Sequence, residues 1–157
     1  MQYQEAVSYV HSLLRFGVKP GLERMRAMME ALGNPQDRLR FAHVAGTNGK
    51  GSTCAMLAEI LCASGYKTGL FTSPYVIEFR ERMQVNGEMI PQDTFAALIE
   101  QIRPVADRLA AQGMQPTEFE VITAAAFLYF EQEKCDIVVL EVGLGGWILP
   151  ISSKRRW

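Results

Sequence analysis

Gly46, Thr47, Asn48, Gly49, Lys50, Gly51, Ser52 and Thr53 are consecutive, a run that combines glycines, one lysine and hydroxyl side chains. Phosphate chemistry needs that combination between a strand and a helix. Glycines let backbone N–H groups approach phosphate oxygens, and a helix N-terminus favours negative charge. Lys50 supplies a point charge for the outer phosphates, and Ser52 or Thr53 adds a hydroxyl. The match to the general P-loop pattern is incomplete. Val44 stands where the first glycine falls in that pattern, and Gly51 replaces the Ser or Thr after the lysine. An ordinary glycine-rich connection is the alternative.

Two further positions can join such a site. Glu141 closes the apolar run Ile137-Val-Val-Leu140, and active-site groups of open α/β sheets gather at the carboxyl ends of strands. Its carboxylate can ligate Mg²⁺ directly or through water, or it can be a solvated strand end. Ser73, in Thr72-Ser-Pro74, follows a second apolar segment at the same expected edge; Ser-Pro is also a common turn. Gly143-Leu-Gly-Gly146 permits a tight turn close to a ligand. Thr117 and Glu120 have capping-box spacing, which explains both without a ligand. His11 and His43 fall on a helix face and in a strand and are assigned no role.

The elements that must hold these residues read as follows. Apolar residues at helical spacing predict a helix over Glu5–Phe16 that stops at Gly17, and a second over Leu22–Leu32 burying Met25, Met28 and Met29. Arg40–Ala45 reads as a strand, Cys54–Ala63 as a helix closed by Gly65, and Thr68–Phe71 as the next strand. Arg82–Ile90 reads as a hairpin turning at Asn86-Gly87. A helix from Asp93 to Ala111 carries Pro104, which is expected to kink or split it. Thr117 opens an apolar helix through Phe130, and Asp136–Val142 is a continuous apolar strand of the kind covered on both faces. Strands alternating with helices predict an α/β fold, a mostly parallel sheet flanked by helices.

Composition narrows the partners. With 157 residues, 48% hydrophobic and 21% charged, the chain has apolar material for a core and is neither disordered nor fibrous. A formal net charge of −1 points to neither nucleic acid nor an anionic membrane as the main partner, so an anion site must be local. Cys54, Cys62 and Cys135 show no metal-binding or CxxC spacing and read as small buried hydrophobes in a reducing compartment. Without a secretory leader or a bilayer-spanning apolar run, the expected location is cytoplasmic.

The Gly46–Thr53 run resembles the Mur-ligase-like family, and the resemblance narrows to folylpolyglutamate synthase/dihydrofolate synthase. Gly21-Leu-Glu-Arg24, Phe71-Thr-Ser-Pro74, Glu81-Arg-Met-Gln-Val-Asn-Gly87 and Glu141-Val-Gly-Leu-Gly-Gly146 agree with it in order and spacing. The resemblance implies a P-loop-containing Mur-ligase-like central domain. It also implies a ligase that joins L-glutamate to dihydropteroate or a reduced folate, using ATP and Mg²⁺ to form an acyl phosphate that the incoming amine attacks. On that basis Gly46 to Thr53 bind ATP, with Lys50 the candidate catalytic residue, and Ser73 and Glu141 are Mg²⁺ ligands. Val18, Lys19 and Pro20 form the first pterin-side segment, and Thr117, Glu118, Phe119 and Glu120 the second. The implied parent enzyme is monomeric.

Past Gly146 the family continues with arginine, a variable residue, then Asp, Ala or Ser, Thr and Asn, whereas this chain reads Trp147-Ile-Leu-Pro-Ile-Ser-Ser-Lys-Arg-Arg-Trp157. Regrouping the last base of each codon with the first two of the next turns Trp-Ile into GAT, which is Asp. The following pairs can give Ser, Thr, Asn and two isoleucines. The expectation is therefore a partial N-terminal ATP-binding domain over 1–146, a frame-shifted tail over 147–157, and no C-terminal ligase domain. Such a truncated chain is expected to turn over little. A non-catalytic nucleotide-binding fragment is the main alternative; a general P-loop NTPase is a third, opposed by Gly51 and the folate-ligase stretches.

Overall fold

The computed structural model describes residues 1–45, 49–73, 75 and 77–141. Gly46, Thr47, Asn48, the Gly143–Gly146 turn and the 147–157 tail lie outside them. The chain divides into two compact units: Met1–Pro35 with Pro91–Tyr129, and Gln36–Ile90 with the described residues from Phe130 onward.

The first unit is helical. α1 (Tyr3–Ser12) tightens into a 3₁₀ turn over Leu13–Phe16 and stops at Gly17, whose φ of +64° an L side chain rarely adopts. α2 (Glu23–Ala31) places Met25, Met28 and Met29 at full burial, as their spacing predicts. Both helices pack on α4 (Gln92–Ala111), which buries Phe95, Ile99, Ile102, Ala106 and Leu109 along one stripe. Burying a side chain such as Phe95 contributes about 1.5–3 kcal/mol. α4 runs unbroken through Pro104, contrary to a split there. Ile102 and Ala106 flank the proline and are both buried, and their packing offsets the one hydrogen bond that it removes. α5 (Glu118–Gln132) is buried continuously from Val121 to Phe130, as suits a helix apolar on all sides.

The second unit is a five-stranded sheet with one long helix. Its strands are β1 (Phe41–Val44), β2 (Thr68–Phe71), β3 (Met83–Val85), β4 (Glu88–Met89) and β5 (Ile137–Glu141), in the order β1-β5-β2-β3-β4. β5 is parallel to both neighbours, and β3 and β4 add an antiparallel hairpin, so the sheet is mixed and its parallel part is the three strands that end at one edge. The hairpin turns at Asn86 (φ +50°) and Gly87 (φ +80°), the conformation a two-residue turn requires. Asn86 also fixes the turn to β2: its Oδ1 accepts the Thr68 N–H at 2.9 Å, and its own N–H donates to the Thr68 carbonyl at 2.9 Å.

α3 (Lys50–Ala63) packs on β5, β2 and β1, and begins four residues earlier than the sequence suggests. Gly51, Ser52 and Thr53 are weak helix formers, which disguises its first turn. Gly49, at φ +72°, turns the chain directly into the helix. Of its fourteen residues only Cys54 is fully buried; Met56 and Ile60 are 57% and 62% exposed.

Candidate functional site

Sheet register decides which residues meet. Val44, the last residue of β1, pairs with Glu141 at the end of β5, while Phe71 at the end of β2 pairs with Leu140. The carboxyl end of β1, Ser73 after β2 and Glu141 on β5 therefore meet at one edge of the sheet, with β5 in the middle. This is the edge where open α/β sheets bind ligands.

Glu141 is half-buried, and its Oε2 accepts the Ser73 backbone N–H at 3.4 Å, a long hydrogen bond. The first turn of α3 stands opposite, since a Cβ added at Gly51 would lie 3.9 Å from that same oxygen. That is ordinary contact distance, so glycine leaves a narrow open space there. Gly49, Lys50, Gly51, Ser52 and Thr53 thus form the exposed to half-exposed start of a helix, the positive end of its dipole, with Gly51 beside the Glu141 carboxylate. The electrostatics agree: the Cys54 thiol is pushed up to about 11, first by burial and then by the Glu141 charge, with Lys50 opposing.

The Ser73 hydroxyl accepts a hydrogen bond from Arg82 Nη2 at 3.1 Å, and Arg82 is 5% exposed. A hydroxyl has two lone pairs, so this bond orients Ser73 and leaves one lone pair for a metal. Carboxylate and hydroxyl oxygens are hard donors of the kind Mg²⁺ takes; Mg²⁺ usually keeps several waters and binds through few protein groups plus phosphates. Among the described residues, no group of three or more His, Cys, Asp and Glu is placed to hold a metal. A lysine and a helix N-terminus on one side, and two oxygen donors on the other, can hold a phosphate chain bridged to a divalent cation.

The remaining candidate residues belong to the first unit, where the structure joins the two segments. Thr117 and Glu120 form the predicted capping box: the Thr117 N–H donates to Glu120 Oε2 at 2.9 Å, and the Glu120 N–H donates to Thr117 Oγ1 at 3.3 Å. Arg24 also grips Glu120, with Nε 3.1 and 3.2 Å from its two oxygens and Nη2 2.9 Å from Oε1. The same Nη2 donates to the carbonyls of Lys19 at 3.0 Å and Pro20 at 3.4 Å. Val18 is 69% exposed, and Glu118 and Phe119 are half-buried. Sequence reasoning missed Arg24 and Arg82 as contributors, although both stand in stretches that carry the family resemblance.

Comparison with known proteins places this architecture. No family model matches the chain. The dihydrofolate synthase/folylpolyglutamate synthase of Bacillus subtilis (strain 168) is 52% identical over 146 residues, 92% of this chain and 34% of the relative. The folylpolyglutamate synthase of Thermotoga maritima superposes with a TM-score of 0.85 at 42% identity, over 92% of this chain and 34% of that one. A folylpolyglutamate synthase–AMPPCP–folate complex superposes with a TM-score of 0.82 at 42% identity, over 93% of this chain and 36% of that one.

The chain thus has a Mur-ligase-like α/β fold. More narrowly, it is a homologue of the folylpolyglutamate/dihydrofolate synthases and spans about one third of their length.

Proposed function

We propose that this chain is the phosphate- and metal-binding part of an ATP-dependent ligase that joins L-glutamate to dihydropteroate or a reduced folate. The observation that carries the reading is the meeting of Glu141, Ser73 and the first turn of α3 at one sheet edge. On this reading Gly46 to Thr53 cradle the ATP phosphates and Lys50 lowers the barrier by offsetting charge on the transferred phosphoryl group. Ser73 and Glu141 hold Mg²⁺, which neutralises phosphate charge when bound. The substrate carboxylate attacks the γ-phosphorus and displaces ADP. The glutamate amine then attacks the acyl phosphate, forming the amide and releasing inorganic phosphate.

Val18, Lys19, Pro20 and Thr117 to Glu120 form the pterin side. The parent ligase works as a cytoplasmic monomer on these small molecules, without nucleic acid or membrane. Residues 147–157 are a frame-shifted tail behind an ATP-binding domain over residues 1–146.

Calorimetric titration with Mg·ATP tests the site: the unmodified chain binds, while Lys50→Met and Glu141→Gln each weaken binding at least tenfold, an electrostatic loss of about 1.4 kcal/mol or more. Equal binding by all three proteins would sink the assignment. A second reading is nucleotide binding without turnover. Glutamate-dependent ADP release in the presence of dihydropteroate supports the ligase for this chain, and binding without release supports the second reading.

A further inference from the structure

We propose that Arg24 is a positioning residue that locks the two pterin-side segments into one preformed wall. This rests on the reading above that Val18–Pro20 and Thr117–Glu120 face the pterin. The segment Val18-Lys19-Pro20 is a three-residue loop between Gly17 (φ +64°) and Gly21 (φ +102°). A Cβ at either glycine would meet nothing within 4 Å, so glycine is required there by backbone conformation and not by space. A loop flanked by two such residues has no helix or strand ladder to fix it. Its Lys19 and Pro20 carbonyls are instead bonded to the Arg24 guanidinium, which also makes three bonds to Glu120.

The pair is costly to bury. Glu120 has a side chain 1% exposed and Arg24 one 15% exposed, and such pairs add little net stability over apolar packing. What it supplies is direction. Glu120 is already anchored by the Thr117 N–H, so the path runs from the Lys19 and Pro20 carbonyls through Arg24 and Glu120 to the start of α5. The guanidinium plane is fixed against Glu120 by Nε and Nη2 together while Nη2 also reaches both carbonyls; a lysine ammonium keeps the charge but loses the second, rigidly coupled donor. With both carbonyls engaged inward, Val18 is left 69% exposed as an apolar surface for a flat heteroaromatic ring.

The test compares the unmodified chain with Arg24→Lys and with the double variant Arg24→Met/Glu120→Gln, which keeps an acceptor for Thr117 and buries no lone charge. Melting temperature, Mg·ATP affinity, dihydropteroate affinity and amide exchange over residues 17–21 are measured for each. We expect both variants to fold and to bind Mg·ATP as the unmodified chain does. Exchange in the loop should rise, and dihydropteroate should bind about tenfold more weakly or worse, the scale of a lost preorganised loop. A purely structural ion pair would lower melting without this split between ligands. Unchanged dihydropteroate affinity in Arg24→Lys overturns the inference and leaves the proposed function standing. Failure of the unmodified chain itself to bind dihydropteroate overturns the pterin-side reading, and the inference with it.

Discussion

Gly69→Ala is expected to destabilise the sheet that carries the site. Gly69 lies on β2, between Val138 of β5 and Val85 of β3, four residues before Ser73. A Cβ at this position would sit 2.7 Å from Phe130 Cδ1, 3.0 Å from Cε1 and 3.1 Å from Cγ. Carbon contacts are comfortable at about 3.5–4.0 Å, so the overlap approaches 1 Å along one ring edge. Phe130 is fully buried, and its ring cannot swing aside without displacing other core atoms. Overpacking of this kind costs about 1–3 kcal/mol. Alanine returns about 0.5–1 kcal/mol through lower chain entropy, so the central net loss is about 1.3 kcal/mol, which lowers the melting temperature by about 3–5 °C for a chain of this size. Urea and thermal unfolding followed by circular dichroism read this directly. Phe130→Leu removes the ring edge, so the double variant should lose less than the two single losses added together. A Gly69→Ala protein as stable as the parent would refute the claim that β2 and Phe130 are in tight contact.

Other outcomes follow from the same geometry. Burial of Cys54 and Cys135 pushes both thiols up from the usual 9.0 to about 11. A raised acid is neutral in the folded state while it ionises in the unfolded one, so the stability is intact below pH 9 and falls between pH 9 and 11; unfolding across that range should show a slope that Cys54→Ala/Cys135→Ala flattens. Brief alkylation of the native chain near neutral pH should modify Cys62, which is half-buried, before Cys54 and Cys135, and peptide mass mapping identifies the order. Ile60→Gln and Met56→Gln, on the exposed side of α3, should change stability by no more than about 0.5 kcal/mol while reducing self-association in light scattering. Resequencing the locus should find an overlapping frame that continues with Asp-Ser-Thr-Asn-Ile-Ile near Gly146; a frame without it removes the shift hypothesis.

The local signals in the sequence were strong where chain neighbours alone decide the structure. Periodicity located α2 with its three methionines, Asn86-Gly87 located the hairpin, and Thr117 with Glu120 located the start of α5. It misjudged places where tertiary packing or one special backbone angle decides. Of the kink or split expected at Pro104, the split does not occur: α4 is one helix, with buried neighbours on both sides of the proline. The start of α3 was obscured because Gly49 reaches the left-handed region while Gly51, Ser52 and Thr53 carry low helix propensity. The sheet's mixed character was visible only in part: alternation with helices indicated the parallel strands, but which strand the hairpin joins is set by pairing across the fold.

The two arginines reveal the limit of such reading more sharply. Arg24 and Glu120 stand 96 positions apart, and no periodicity links them. Arg82 sits next to Met83 in a segment whose pattern announces only a strand, yet its guanidinium orients Ser73 from nine positions away. In both cases the residue named from sequence is one proposed to offer oxygens or a loop to a ligand, and the residue missed is a largely buried arginine bonded to it. That division has a physical cause. Ligand-facing groups sit at strand ends and glycine turns, which leave local marks in the chain, whereas a supporting charge needs only a long side chain and an acceptor brought near by folding. For this fold, residues that support the proposed phosphate edge and the proposed pterin-side loop are best sought among buried arginines whose acceptors are carbonyl, hydroxyl or carboxylate oxygens of the segments already singled out.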